Sequence, residues 1–239
     1  MFDTVRAPTN LQERLREVRR KLRESAAQSN RSPDEITLVA VSKTHPAEII
    51  REAIAAGVTD LGENRVQEAD AKIPKVGRQA ARWHLIGHLQ SNKARRAVEL
   101  FDVIHSLDSV ALAQRLDRMC VELSRQELPV LIQVDLSRET TKSGAHEAEV
   151  GQIAEALKQC ACLRLAGLMT LPPYFDDAEQ VRPFFRKLRE LRDELSSQGA
   201  FGEARGELSM GMTHDYEIAI EEGATIVRIG TAIFGERHN

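Results

Sequence analysis

The sequence predicts a closed (β/α)8 TIM barrel preceded by one extra helix. Three observations carry that expectation. Eight short runs rich in β-branched residues recur between about residue 36 and the carboxyl terminus. Segments with helical spacing separate them, which implies parallel strands joined by crossover helices. No G-x-G-x-x-G follows the first run, which disfavours the alternative, an open doubly wound sheet.

Taken in order, Leu11, Leu15, Val18 and Leu22 share one face of the leading helix, which Asn30 and Pro33 close. The first strand is ITLVAVS (36–42). In the helix after it, Ile49, Ile50, Ala53 and Ile54 recur at helical spacing, with Pro46 at a first helical position and Gly57 at the stop. The next strands are VTDLG (58–62), RWHLIG (82–87) and FDVIHSL (101–107). PVLIQVD (129–135), LRLAGLM (163–169), GELSMG (206–211) and TIVRIG (225–230) follow. The longest intervening helix carries Val181, Phe184, Phe185, Leu188, Leu191 and Leu195. No P-loop, low-complexity tract or flexible linker interrupts the series, so residues 1–239 read as a single domain.

Composition narrows the function classes. Of the 239 residues, 42% are hydrophobic, enough for one sizeable core. The formal charge of -3 disfavours a nucleic-acid partner. The opening MFDTVRAPTN lacks the apolar run of a signal peptide, and no apolar stretch is long enough to span a membrane. Cys120 stands alone and Cys160 and Cys162 are two apart, neither a disulfide framework nor a zinc ribbon. Reduced cysteines and a cytoplasmic location are expected.

Barrels of this kind carry their chemistry at the carboxyl ends of the strands. The first strand ends in Ser42-Lys43-Thr44, and alternation puts Val39, Val41 and Lys43 on the inward face. Ile226, Arg228 and Gly230 share a face of the last strand, which adjoins the first once the ring closes. Lys43 and Arg228 are therefore expected in one mouth. The structural alternative is that each pairs with a carboxylate such as Glu63 or Asp60. The functional one is a partly desolvated amine nucleophile beside a fixed cation. Ser209-Met210-Gly211 and Gly230-Thr231-Ala232 end the last two strands, where phosphate is often held. A lysine, an arginine and a phosphate cradle together suggest a phosphorylated aldehyde.

Other residues invite a plainer reading. His84 and His88 have the spacing of a helical zinc pair, but they straddle a strand end and lack the Glu of H-E-x-x-H, so no metal site is expected. Lys93, Arg95 and Arg96 read as a solvated helix face. Trp83 and Met169 read as core or pocket lining, with Met169 placed to touch a ring.

Six ordered blocks then carry a resemblance: LVAVSKTHP (38–46), LGENRVQEA (61–69), WHLIGHLQSNKAR (83–95), GLMTL (167–171), LSMGM (208–212) and VRIGTAIFGER (227–237). Across nearly its whole length the chain resembles the pyridoxal 5'-phosphate (PLP) binding, or PLP homeostasis, proteins related to the barrel domain of alanine racemase. The resemblance implies a Schiff base between Lys43 and PLP, with Asn64 beside the ring. It implies a phosphate site at Ser209, Gly230 and Thr231, with Met169 and Met210 nearby, and Arg228 facing the pyridine nitrogen. An arginine there only donates hydrogen bonds, so the ring stays uncharged and is a poor electron sink.

The chain departs from the family pattern at Asp135, where Asn is usual, and at Arg138, where Gly is common. Thr141 and Thr213 stand where Ser is usual, and Lys142 reads as a surface lysine.

The expected function is a cytoplasmic, monomeric PLP carrier or buffer that affects amino-acid and keto-acid balance and serves PLP-dependent recipient enzymes. Weak racemase activity is one alternative. It is disfavoured because the racemases draw a second base from a tyrosine of a separate C-terminal β domain, and here only Tyr174 and Tyr216 occur, neither where such a domain would begin. A Schiff-base aldolase acting on sugar phosphates is the other.

Overall fold

A computed structural model describes residues 10–137 and 143–236. Helix α1 (Leu11–Gln28) forms because its apolar residues fall on one face, and Leu11, Leu15, Val18 and Leu22 are buried there. The Asn10 side chain accepts from the Glu13 N–H and so satisfies a free donor of the first turn. Beyond the helix, Asn30 takes a left-handed φ of 54° and Pro33 opens a short 3-10 turn.

Strand β1 (Thr37–Val41) is followed by α2 (Ala47–Ala55), β2 (Asp60–Glu63), α3 (Val66–Val76), β3 (Arg82–Leu85), α4 (Ala94–Leu100) and β4 (Val103–Leu107). Then come α5 (Val110–Glu122), β5 (Leu128–Asp135), a two-residue strand β6 (Ala145–His146), α6 (Glu147–Leu157) and β7 (Leu163–Met169). Last are α7 (Arg182–Ser197), β8 (Glu207–Ser209), α8 (Tyr216–Glu221), β9 (Ile226–Ile229) and the single turn α9 (Thr231–Phe234).

Eight strands pair in parallel in the order β1-β2-β3-β4-β5-β7-β8-β9, and β9 pairs back onto β1. The sheet closes, as the sequence leads one to expect. The small β6 hangs on β5 outside that ring through Val134 and Ala145. Two residues carry no periodicity, so it was not legible.

Boundaries shift where local bonds decide them. The strand expected at 58–62 runs over Asp60–Glu63, because the Val58 N–H still closes the exit of α2 on Ala53 O. The strand expected at 206–211 shrinks to Glu207–Ser209, because Gly211 turns away at a φ of 93°. Pro46 caps α2 rather than opening it.

The barrel has two apolar compartments. Alternation places Val39, Val103, Leu131, Met169 and Ile226 inside the ring, in a small cluster separate from the large core between sheet and helices. Trp83 and Phe101 are fully buried in the large core. The rest of the interior is polar: His84, His105, Gln133, Ser209 and Arg228 are all buried. Outside, Arg96 pairs with Asp70 and Glu99, and Arg95 with Glu122, which is the solvated face expected there. Finally, α1 packs on α8 and α9, and Arg14 Nε donates to Ile233 O at 2.7 Å, tying the first helix to the last.

Candidate functional site

The carboxyl ends of the strands surround a cavity of about 640 Å3. Lys43, Asn64, Arg228, Gly230 and Thr231 all line it, five residues that the sequence assigns to one site. Val41, Ile86, Leu171, Pro172 and Met212 supply apolar wall. Polar groups converging in an apolar cleft of this size suit a small cofactor.

A short, strained turn presents Lys43. Ser42 ends the strand, fully buried, with its N–H on Gly62 O at 3.0 Å and its hydroxyl on Glu63 Oε1 at 2.7 Å. Lys72 Nζ reaches Glu63 at 2.9 Å and Ser42 O at 3.0 Å, so a lysine of α3 clamps the strand end from behind. Burial pushes the Glu63 carboxyl above its ordinary value, and the Lys72 ammonium opposes it. Thr44 then takes a φ of 68°, a conformation that a β-branched residue adopts only under constraint. The Glu68 carboxylate, which accepts the Thr44 N–H at 3.2 Å, supplies part of that constraint.

Asn64 is placed by a backbone contact. Gly87, which also lines the cavity, packs so closely that a Cβ there would lie 2.3 Å from Asn64 O. Only glycine fits at that position.

Arg228 lies on β9 with 2% exposure, its Nη1 donating to Ser209 Oγ at 2.6 Å and its Nη2 to Thr170 O at 2.9 Å. Burial pushes its guanidinium down to about 10, with the Asp215 carboxylate opposing. The alternative in which Glu63 or Asp60 neutralises it fails on geometry: Glu63 is taken by Ser42 and Lys72, and Asp60 by Thr59 and His84.

Three expected residues sit elsewhere. Ser209, Met169 and Met210 are buried and do not line the cavity. Ser209 pairs in register with Ile226, one pleat repeat below Arg228, and its hydroxyl is held between Arg228 Nη1 and His105 Nδ1. It lies beneath the floor, in position to act through Arg228. Met169 belongs to the interior cluster and Met210 to the outer core.

Other wall residues lie outside the set that the sequence assigns to the site, on the loop after β8 and at the end of β5. Thr213 and His214 come from the loop after β8, which Asp215 ties down by accepting the Met212 N–H at 2.6 Å. Gly211 seats that loop on α8, and its carbonyl accepts the Arg228 backbone N–H at 3.0 Å. Gln133 lines the wall and donates to Ser143 O at 2.6 Å, while Asp135 accepts from Ser137. Arg138, Thr141 and Lys142 lie outside the described residues.

His84 and His88 part company. His84 is buried between Asp60 and His105, whereas His88 lines the cavity rim beside Asp108.

Comparisons with known proteins agree with this architecture. A family model described as alanine racemase, N-terminal domain, matches residues 11–238. The pyridoxal phosphate homeostasis protein of Aquifex aeolicus is 42% identical over 228 residues, covering 95% of this chain and 99% of the relative. The Escherichia coli K12 protein of the same name is 45% identical over 231 residues, 93% and 95% of the two chains. Among solved structures, PipY of Synechococcus elongatus PCC7942 with PLP bound superposes with a TM-score of 0.79 at 41% identity, covering 95% of this chain and 100% of PipY. The alanine racemase of Clostridium difficile 630 shares the fold alone, with a TM-score of 0.68 at 17% identity, covering 96% of this chain and 57% of the racemase. On sequence and on fold, the chain belongs to the pyridoxal phosphate homeostasis proteins, within the family of the alanine racemase N-terminal domain.

Proposed function

We propose that this chain binds pyridoxal 5'-phosphate at Lys43 and serves PLP homeostasis as a carrier or buffer rather than as an enzyme. One observation carries the reading: the Lys43 amine, the buried Arg228 guanidinium and the Gly230–Thr231 turn line a single apolar-walled cavity. The donor set fits the cofactor. When bound, PLP supplies an aldehyde that an amine captures reversibly as an imine. Lys43 is that amine, and the Thr44 turn aims it. Arg228 would face the ring nitrogen as a donor and, staying protonated, would keep that nitrogen uncharged. Asn64 stands beside the ring. Gly230 and Thr231, with the Thr213 hydroxyl, take the phosphate, while Ser209 supports the site through Arg228. Met169 packs beneath, inside the barrel, while Met210 backs the strand from the outer core.

The non-catalytic reading has two supports. An arginine at the ring nitrogen makes a poor electron sink. Racemisation also needs an acid–base group on each face, and neither Tyr174 nor Tyr216 lines the cavity: Tyr216 is buried in the outer core and Tyr174 is 75% exposed. Sustained conversion of L- to D-alanine by the pure protein would overturn this.

Among the described residues no helix is long and apolar enough to cross a membrane, and Cys120, Cys160 and Cys162 are free. A cytoplasmic, monomeric carrier that hands PLP to dependent enzymes is the remainder of the proposal.

The test is the visible absorption spectrum of purified protein before and after borohydride, followed by peptide mapping. A yellow band trapped on Lys43, and lost in Lys43→Ala, is the expected result. A colourless protein that refuses added PLP sinks the reading and returns the cavity to a sugar-phosphate aldolase.

A further inference from the structure

A fully buried guanidinium is costly unless its charge is answered. Among the described residues no carboxylate lies at hydrogen-bond distance from Arg228, whose side-chain partners are Ser209 Oγ and Thr170 O. Ser209, however, begins a chain of contacts through the barrel. Its Oγ lies 2.9 Å from His105 Nδ1, His105 Nε2 lies 2.9 Å from His84 Nδ1, and His84 Nε2 lies 2.9 Å from Asp60 Oδ1. Five strands contribute: β9, β8, β4, β3 and β2.

Elementary donor rules orient every bond. Burial pushes the Asp60 carboxyl up, but hydrogen bonds from His84 and Thr59 outweigh it and hold it below its ordinary value, so it only accepts. His84 therefore carries its proton on Nε2. Burial lowers the His84 imidazole below 6.5, so it is neutral at pH 7 and its Nδ1 accepts. His105 must then donate from Nε2. Burial lowers His105 still further, so its Nδ1 accepts the Ser209 hydroxyl proton. Ser209 thus offers only lone pairs to Arg228, which can only donate. All four bonds run one way, from guanidinium to carboxylate.

We propose that Asp60, His84, His105 and Ser209 form a positioning relay for Arg228. The relay carries the Asp60 charge across the barrel and keeps the Arg228 guanidinium turned toward the cavity as a fixed donor. It deepens the PLP reading, on which only the identity of the ligand depends. Acid reverses it. Once His84 takes a second proton, His84 Nδ1 donates to His105, His105 donates to Ser209, and the hydroxyl proton must turn elsewhere. The charged groups acting on the histidine pair are Asp60, Arg82, Asp102 and Arg228, and the reversal falls below pH 6.5 because both imidazoles are lowered.

Two measurements test the relay. In apo protein labelled with 15N-histidine, His84→Gln and His105→Gln assign the two buried resonances. Both are expected as neutral Nε2–H tautomers at pH 7, and an Nδ1–H tautomer at either overturns the relay. The second uses Asp60→Asn, since the Asp60 side chain is 14% exposed and the change is isosteric. PLP affinity should weaken on the order of tenfold, the acid limb of the visible band should shift, and borohydride should still label Lys43. Affinity and pH profile within twofold of the parent in both Asp60→Asn and His105→Gln would refute it. If the parent takes no PLP the function reading fails instead, and the apo tautomers still decide the relay.

Discussion

Replacing Lys72 with methionine tests whether the clamp behind Lys43 is energetically what its geometry says. Glu63 is fully buried, and its charge is answered by Lys72 Nζ at 2.9 Å and 3.1 Å and by the Ser42 hydroxyl at 2.7 Å. Methionine keeps most of the stem's packing but removes the ammonium. A buried ion left without its partner costs about 3–5 kcal/mol. That far exceeds the worth of an exposed helical pair such as Arg20–Glu24, which makes a natural control. The penalty should depend on pH. Glu63 already has a folded-state value above its ordinary one, and losing the ammonium raises it further. A raised carboxyl favours the folded state most below the ordinary value of 4.5 and loses that advantage as pH rises through the folded value. The deficit of Lys72→Met should therefore be large at pH 7 and shrink as the pH falls toward 5. Urea unfolding of parent, Lys72→Met, Glu63→Gln and the double variant at both pH values gives the cycle. The double variant should recover most of the loss. A deficit below about 1 kcal/mol at pH 7, or one unchanged at pH 5, would show that the clamp is packing rather than charge.

Two further substitutions probe how the site is held. Thr44→Gly should relieve a left-handed strain of about 1–3 kcal/mol. Part of that gain is returned as backbone entropy, so the thermal midpoint should rise slightly while borohydride trapping at Lys43 slows; a lower midpoint contradicts the strain. Gly87→Ala should destabilise by at least ~2 kcal/mol, because its Cβ would sit 2.3 Å from Asn64 O, and a chemical melt indistinguishable from the parent would show that the approach relaxes freely.

The ring was legible because β-branched runs and helical spacing are local signals, and closure follows once eight units are counted. Lys43 and Arg228 were legible as cavity residues because alternation fixes which way a strand residue faces. Depth was not. Ser209 faces inward as expected, yet β8 is three residues long and ends one layer below the mouth, and no pattern along the chain reports that level. His84 and His105 show the same limit from the other side. In the sequence His84 was weighed only against His88 and His105 was not singled out, because their partners come from β2 and β8 and meet only inside the closed ring. The loop residues Thr213 and His214 had no periodicity to betray them.

Closure through β1 and β9 also has a consequence in time. Lys43 follows the first strand and Arg228 lies on the last, so 185 residues of chain must emerge before the two can meet. A ribosome-bound intermediate that has displayed the lysine but not yet β9 has neither the opposing guanidinium nor the Gly230–Thr231 turn. Such an intermediate would offer a passing aldehyde an ordinary surface amine. Under the proposed role of Lys43, capture competence arrives abruptly, with the final strand, rather than growing as the barrel is built.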